Sequence, residues 1–400
     1  MLKKLLIYSL LLSNTLIYSG CQKSSADPAP ATEVEKEKEY YVSSELLASV
    51  PLNLLQTMVA SNGFETYRNE IKYGVSVYRM TYVTTYQGKE IKASGLVCVP
   101  QNMTTPAPVL SAQHGTIFTD DEAPSNFKGL SGLELFAAGG YVTLLPDYVG
   151  FGASKDIFHP YYDQEHSALA VVDMIKAGKG FYKKHNIEVN DQLFLVGYSE
   201  GGYVTLAAQK EIETDPSHGL KITASAAGAG GYDLTSMLGD VTSGKPYPYP
   251  AYLAYVLQSY NQTNSWNRPL TELFQEPYAS QLPALFDGTH SGGTINRQLT
   301  TDPKKLFAAS FYEGLTNGKE TVLKQTLQKN SLTDWAPKSP TRLYHGTSDT
   351  IVPFENSKLT YDKFKAQGAP QTEFIAINGG THGSTITPML QSLIPWMKSF

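Results

Sequence analysis

Ser199 has a glycine two residues to either side, Gly197 and Gly201, in the stretch Phe194-Leu195-Val196-Gly197-Tyr198-Ser199-Glu200-Gly201-Gly202. Glycines at that spacing leave room for a sharp strand-to-helix turn that pushes the serine hydroxyl into the open. The flanks agree with such a turn. Residues 192–196 read as a buried strand, and Val204, Leu206, Ala207 and Ile212 continue at helical spacing. A serine presented in this way can attack an acyl carbonyl, provided a base takes its proton and a third group orients the base.

On a turn of this kind the acid and then the histidine follow the serine along the chain. The histidines after Ser199 are His218, His290, His345 and His382. His382 lies in the polar loop Asn378-Gly379-Gly380-Thr381-His382-Gly383, after the strand-like residues 374–377 and before the last helix, and is the expected base. Asp349 is the expected acid, in a strand-to-loop segment at 343–353, with Asp233 and Asp334 as alternatives. It precedes His382 by 33 residues, room for one helix and one strand. All three groups would then meet where loops leave one edge of a parallel sheet.

Two backbone N–H groups are needed for the oxyanion. One is that of Glu200. The other is expected from Thr116, or from its neighbour Gly115, after the apolar run at 108–113. His114 and His345 each precede a glycine at a strand end and are expected to be structural. The D-x-x-G-x-G-x-S loop at 147–154 is expected beside the elbow, with Asp147 pinning it.

The motifs QHGT (113–116), PDYVGFGAS (146–154), GYSEGG (197–202), HGTSDTIVP (345–353) and GGTHG (379–383) together resemble the α/β-hydrolase fold. Within it they resemble the secretory lipase family and related bacterial lipoprotein esterases, over roughly residues 75–400. The resemblance implies cofactor-free hydrolysis of carboxylic esters. A prolyl-oligopeptidase-type peptidase shares this kind of elbow, but the residues before 75 leave no room for its usual large N-terminal domain. A surface binding lipoprotein that kept the fold without the chemistry is the remaining alternative, and a complete Ser-Asp-His set counts against it.

The elements that must hold these residues alternate as an α/β sheet requires. A short helix is expected at 45–58, and strands at 75–86, 91–99, 108–113, 141–145, 192–197 and 222–227, with a helix at 166–182. From 232 to 340 the strand pattern stops, and Tyr, Pro, Gln and Asn accumulate until residue 341 resumes the sheet. The expected architecture is therefore a mostly parallel sheet flanked by helices, with a largely helical cap after the sixth strand. The hydrolase core would comprise 41–231 and 341–400, with the cap at 232–340. Tyr247, Tyr249, Tyr252, Tyr255, Tyr260 and Trp266 would either line an apolar pocket there or form the cap's own core.

The N-terminus gives an address. A basic start at Lys3 and Lys4 precedes an apolar run at 5–17, too short to span a bilayer, and then Tyr18-Ser19-Gly20-Cys21. Residues 1–20 resemble a bacterial lipoprotein signal peptide, in which Cys21 becomes the acylated first residue and holds the protein on the cell envelope. Residues 21–40 would be a flexible tether. That leaves Cys98 as a lone thiol in a buried strand. A net charge of −5 and a pI near 5.9 provide no basic footprint for nucleic acid. No metal-ligand or nucleotide-binding motif is present, so no cofactor is expected.

Overall fold

In the elbow strand Leu193 and Leu195 face one hydrophobic core, while Phe194 and Val196 face another on the opposite side of the sheet. Successive strand side chains point to opposite faces, so an unbroken apolar run marks a strand covered on both sides. The computed structural model describes residues 38–61 and 65–400. Residues Glu39–Phe400 form one compact unit.

Its sheet contains β1 (Tyr41–Val50), β2 (Val75–Tyr86), β3 (Lys89–Pro100), β4 (Ala107–Gln113), β5 (Val142–Pro146), β6 (Val189–Tyr198), β7 (Ala224–Gly228), β8 (Thr341–Gly346) and β9 (Thr372–Ile377). The strand order is β1-β2-β3-β5-β4-β6-β7-β8-β9. The first three pairings are antiparallel, and every pairing from β5–β4 to β8–β9 is parallel. This is the α/β-hydrolase arrangement with one strand added at the front. The helix expected at 45–58 is corrected by it: residues 41–50 pair with β2, and only Leu52–Ser61 is helical.

One face is covered by the helices Gln164–His185 and Glu200–Thr214, the other by Leu52–Ser61 and Ile386–Met397. The Gln164–His185 helix is well delimited. Asp163 accepts from the His166 N–H at its start, left-handed Asn186 ends it, and Lys183, Lys184 and His185 complement the dipole at its last turn.

Between β7 and β8 the chain is helical, with a single isolated bridge, Phe274–Phe307. Counted from β2, this cap follows the sixth strand of the hydrolase sheet. Its helices are short, 14 residues at most, so their stability comes from packing rather than propensity. Tyr255, Tyr260, Phe274, Phe307 and Phe311 supply much of that packing.

Candidate active site

Ser199 sits between β6 and the helix Glu200–Thr214 with φ 60° and ψ −126°, a conformation that a non-glycine residue adopts at a cost of about 1–3 kcal/mol. Its neighbours explain why the turn closes there. A Cβ on Gly197 would collide with the Gly201 carbonyl, one on Gly201 with the carbonyls of Gln113 and His114, and one on Gly202 with that of Gly228. The three glycines let the helix start directly against the backbones of β4, β6 and β7. The Ser199 N–H donates to Gly228 O at 2.8 Å, and the Ser199 carbonyl accepts from Gly202 and Tyr203.

The structure brings Asp349 and His382 to this serine. His382 Nε2 is 2.9 Å from Ser199 Oγ, and His382 Nδ1 is 2.7 Å from Asp349 Oδ2. The loops carrying acid and base are tied together by the Thr347 N–H on Ile377 O, the Ser348 N–H on Gly380 O and the Gly379 N–H on Thr347 Oγ1. Tyr198, next to the serine, donates its hydroxyl to the His382 carbonyl at 2.6 Å. The alternative acids lie elsewhere. Asp233 caps a cap helix and pairs with Lys363, and Asp334 is an exposed partner of Lys210.

Asp349 has more partners than its sequence context suggested. Oδ1 accepts from the N–H groups of Ile351 and Val352, and Oδ2 faces both His382 and, at 3.2 Å, Nε2 of the fully buried His345. His345 is held by Ser357 Oγ and Val352 O. It closes the end of β8 in direct contact with the Asp349 carboxylate. Its position four residues before Asp349 was the available signal. Burial alone would push the Asp349 carboxyl up. The hydrogen bonds from His345 and His382, the charge of His382 and the Ile351 N–H outweigh it and hold the carboxyl well below its ordinary range.

As the first residue of its helix, Glu200 has no intrahelical carbonyl for its N–H. Among the described residues none takes up the Thr116 N–H. Thr116 lines the same cavity as Ser199, and its hydroxyl is 3.0 Å from that of Tyr161. Gly115 packs directly on the elbow, its Cβ position 3.7 Å from Ser199 Cβ. The 147–154 loop is pinned as expected: Asp147 accepts from the Ser125 N–H at 2.7 Å and from Ser94 Oγ. His114 stacks on Tyr148 at 4.1 Å.

Beside Ser199 opens a cavity of about 350 Å³. Much of its wall is aliphatic, from Leu238, Val241, Val256, Leu257, Leu323 and Leu327. Of the aromatic residues noted in the cap sequence, Tyr247 and Tyr252 reach it, whereas Tyr255 and Tyr260 are buried in the cap core.

A sharp strand-to-helix turn at the carboxyl end of a central strand, in a mostly parallel sheet covered on both faces, is the α/β-hydrolase architecture. Within that class, residues 132–399 match the secretory lipase family, and the chain belongs to it. A secreted triacylglycerol lipase, LIP4 of Malassezia globosa, is 23% identical over 80% of this chain and 72% of its own. The rice cell wall degrading esterase LipA of Xanthomonas oryzae superposes with a TM-score of 0.78 at 26% identity, over 88% of this chain and 95% of its own. Candida antarctica lipase A, in its closed state, shares the fold at 17% identity with a TM-score of 0.62, over 88% of this chain and 80% of its own. The protein is a carboxylic ester hydrolase.

The pKa of Asp349 gives a testable acid response. A carboxyl depressed by folding adds stability above its unfolded value of about 3.9, and that contribution is lost as pH falls through the lower folded value. Asp349→Asn should therefore melt below the parent protein near neutral pH, with the gap closing below about pH 4. A gap of constant size in thermal melts across that range would contradict the depressed carboxyl.

Proposed function

We propose that Ser199, His382 and Asp349 hydrolyse carboxylic esters through an acyl-enzyme. The observation that carries this reading is the unbroken chain from Ser199 Oγ to His382 Nε2, and from His382 Nδ1 to Asp349 Oδ2. Ser199 Oγ attacks the ester carbonyl while His382 Nε2 takes its proton. Asp349 accepts from Nδ1–H and stabilises the imidazolium. The N–H groups of Glu200 and Thr116 bind the oxyanion, the alcohol departs with the proton from His382, and water repeats the sequence to release the acid.

Ser199→Ala should end labelling by a fluorophosphonate probe and lower turnover by about ten-thousandfold or more. Asp349→Asn should cost at least about a hundredfold in kcat, because the imidazole loses its orienting acceptor, while Asp334→Asn stays within about twofold. Equal losses at the two aspartates would move the acid elsewhere.

The aliphatic cavity is the acyl site in this reading, and the chain it takes is neutral and apolar. Such a pocket separates homologues by roughly 1–3 kcal/mol per methylene, so preference should be graded. Val256→Trp and Leu238→Trp should lower kcat/KM for decanoyl and dodecanoyl esters by about tenfold or more, and leave acetate esters within about threefold. Loss that is uniform across chain lengths would place the acyl group outside this cavity.

Among the described residues no helix is long and apolar enough to cross a membrane. Cys21 lies outside the described residues. Its sequence context supports export and acylation, so that the enzyme acts from the cell envelope on esters outside the cytoplasm. Cys21→Ser should free the protein from the membrane fraction, or leave it unprocessed, without loss of specific activity. Retention of an acyl group on that variant would refute the anchor.

A further inference from the structure

His159 and Glu200 form a pair that the reaction above leaves unused. Glu200 supplies a backbone N–H to the site, yet its side chain turns inward and is 1% exposed, and His159 is 4% exposed. Glu200 Oε1 lies 2.8 Å from His159 Nε2, and His159 Nδ1 lies 2.7 Å from the Val149 carbonyl. A carbonyl oxygen only accepts, so Nδ1 carries a hydrogen. A further proton then lies between Nε2 and Oε1. Whichever atom holds it, the pair as a whole is electrically neutral.

Rings of Tyr148, Phe151, Tyr161 and Tyr255 surround the imidazole at 5.0–6.0 Å between centroids. Among the described residues no lysine or arginine pairs with Glu200. A carboxylate in such a place is costly unless it is paired, and removal of one partner exposes the cost of the other. The chain is also moulded around the histidine. At Gly150, with φ +99°, a Cβ would run into the His159 backbone, so the loop after β5 has its glycine where His159 packs.

We infer that His159 is a positioning residue of the oxyanion hole, which neutralises and fixes the Glu200 carboxyl so that the Glu200 N–H can stabilise developing negative charge. Without it, a bare carboxylate would stand one side chain away from the oxyanion and oppose it. The inference rests on the Ser199 reading given above. It adds that the residue after the nucleophile acts through its amide only while its side chain is charge-compensated by a histidine 41 residues upstream.

The test is kinetic, on an aryl ester at about pH 8, with His159→Leu, His159→Gln and each of these combined with Glu200→Gln. Each His159 single variant should lower kcat by about tenfold or more with KM within about twofold, since the loss falls on the transition state. Adding Glu200→Gln should recover most of that loss, because it removes the uncompensated charge. A packing role for His159 predicts no recovery. His159→Gln keeps an amide donor and a similar volume, so it carries the test should the leucine variant fail to fold. Single variants that match the parent, or double variants no better than the singles, would overturn the inference. Fluorophosphonate labelling of Ser199 separates it from the reading beneath it: a parent enzyme that turns over ester without labelling at Ser199 would fail that reading first.

Discussion

The left-handed turn at Ser199 is the constraint on which the rest of the site depends. Its backbone cost is met only because β4, β6, β7 and the following helix meet without side chains between them. The close approach has a chemical consequence. It brings the open N-terminus of a 15-residue helix directly behind the Ser199 side chain, where unpaired N–H groups and the helix dipole both favour negative charge. The glycines that permit the turn thus also place the Glu200 N–H beside the Ser199 hydroxyl.

The relative placement of Ser199, His382 and Asp349 is largely a backbone matter. The acid and base loops are laced to one another by main-chain hydrogen bonds, and Tyr198 ties the His382 carbonyl to the elbow itself. Asp349 cannot rotate freely, because one oxygen is committed to two N–H groups and the other faces two histidines. Such saturation explains how a shielded carboxylate stays ionised. It also leaves His382 with one well-defined acceptor, so that its other nitrogen faces Ser199.

Much of this was legible in the sequence, because the chemistry restricts residue types. A serine between glycines, an aspartate after β8 and a histidine after β9 have few substitutes, and the topology fixes their order. β1 was not legible. In Tyr41–Val50 the register shifts near Ser43 and Ala48, and Glu45 and Leu46 are exposed side by side. Period-two alternation is broken, and only pairing with β2, which follows in the chain after a helix and a loop, makes it a strand. The cap showed as missing strand pattern, but its short helices with prolines at their starts carried little periodicity of their own. His159 gave no local signal at all, since its meaning comes from a carboxyl 41 residues away.

The cap is joined to the sheet and its helices by buried tyrosine hydroxyls. The Tyr162 carbonyl, in a residue with φ 55°, accepts from Tyr203 on the elbow helix and from Tyr260 on a cap helix. Tyr203 also donates to the carbonyl of Asn330, at the end of the cap. The cap is therefore registered on the Glu200–Thr214 helix by buried tyrosine hydroxyls, which lose their partners if the helices shift. The aliphatic side chains of the cavity make no such ties. They contribute packing alone, so the polar registration of cap on helix does not depend on their hydrogen bonding.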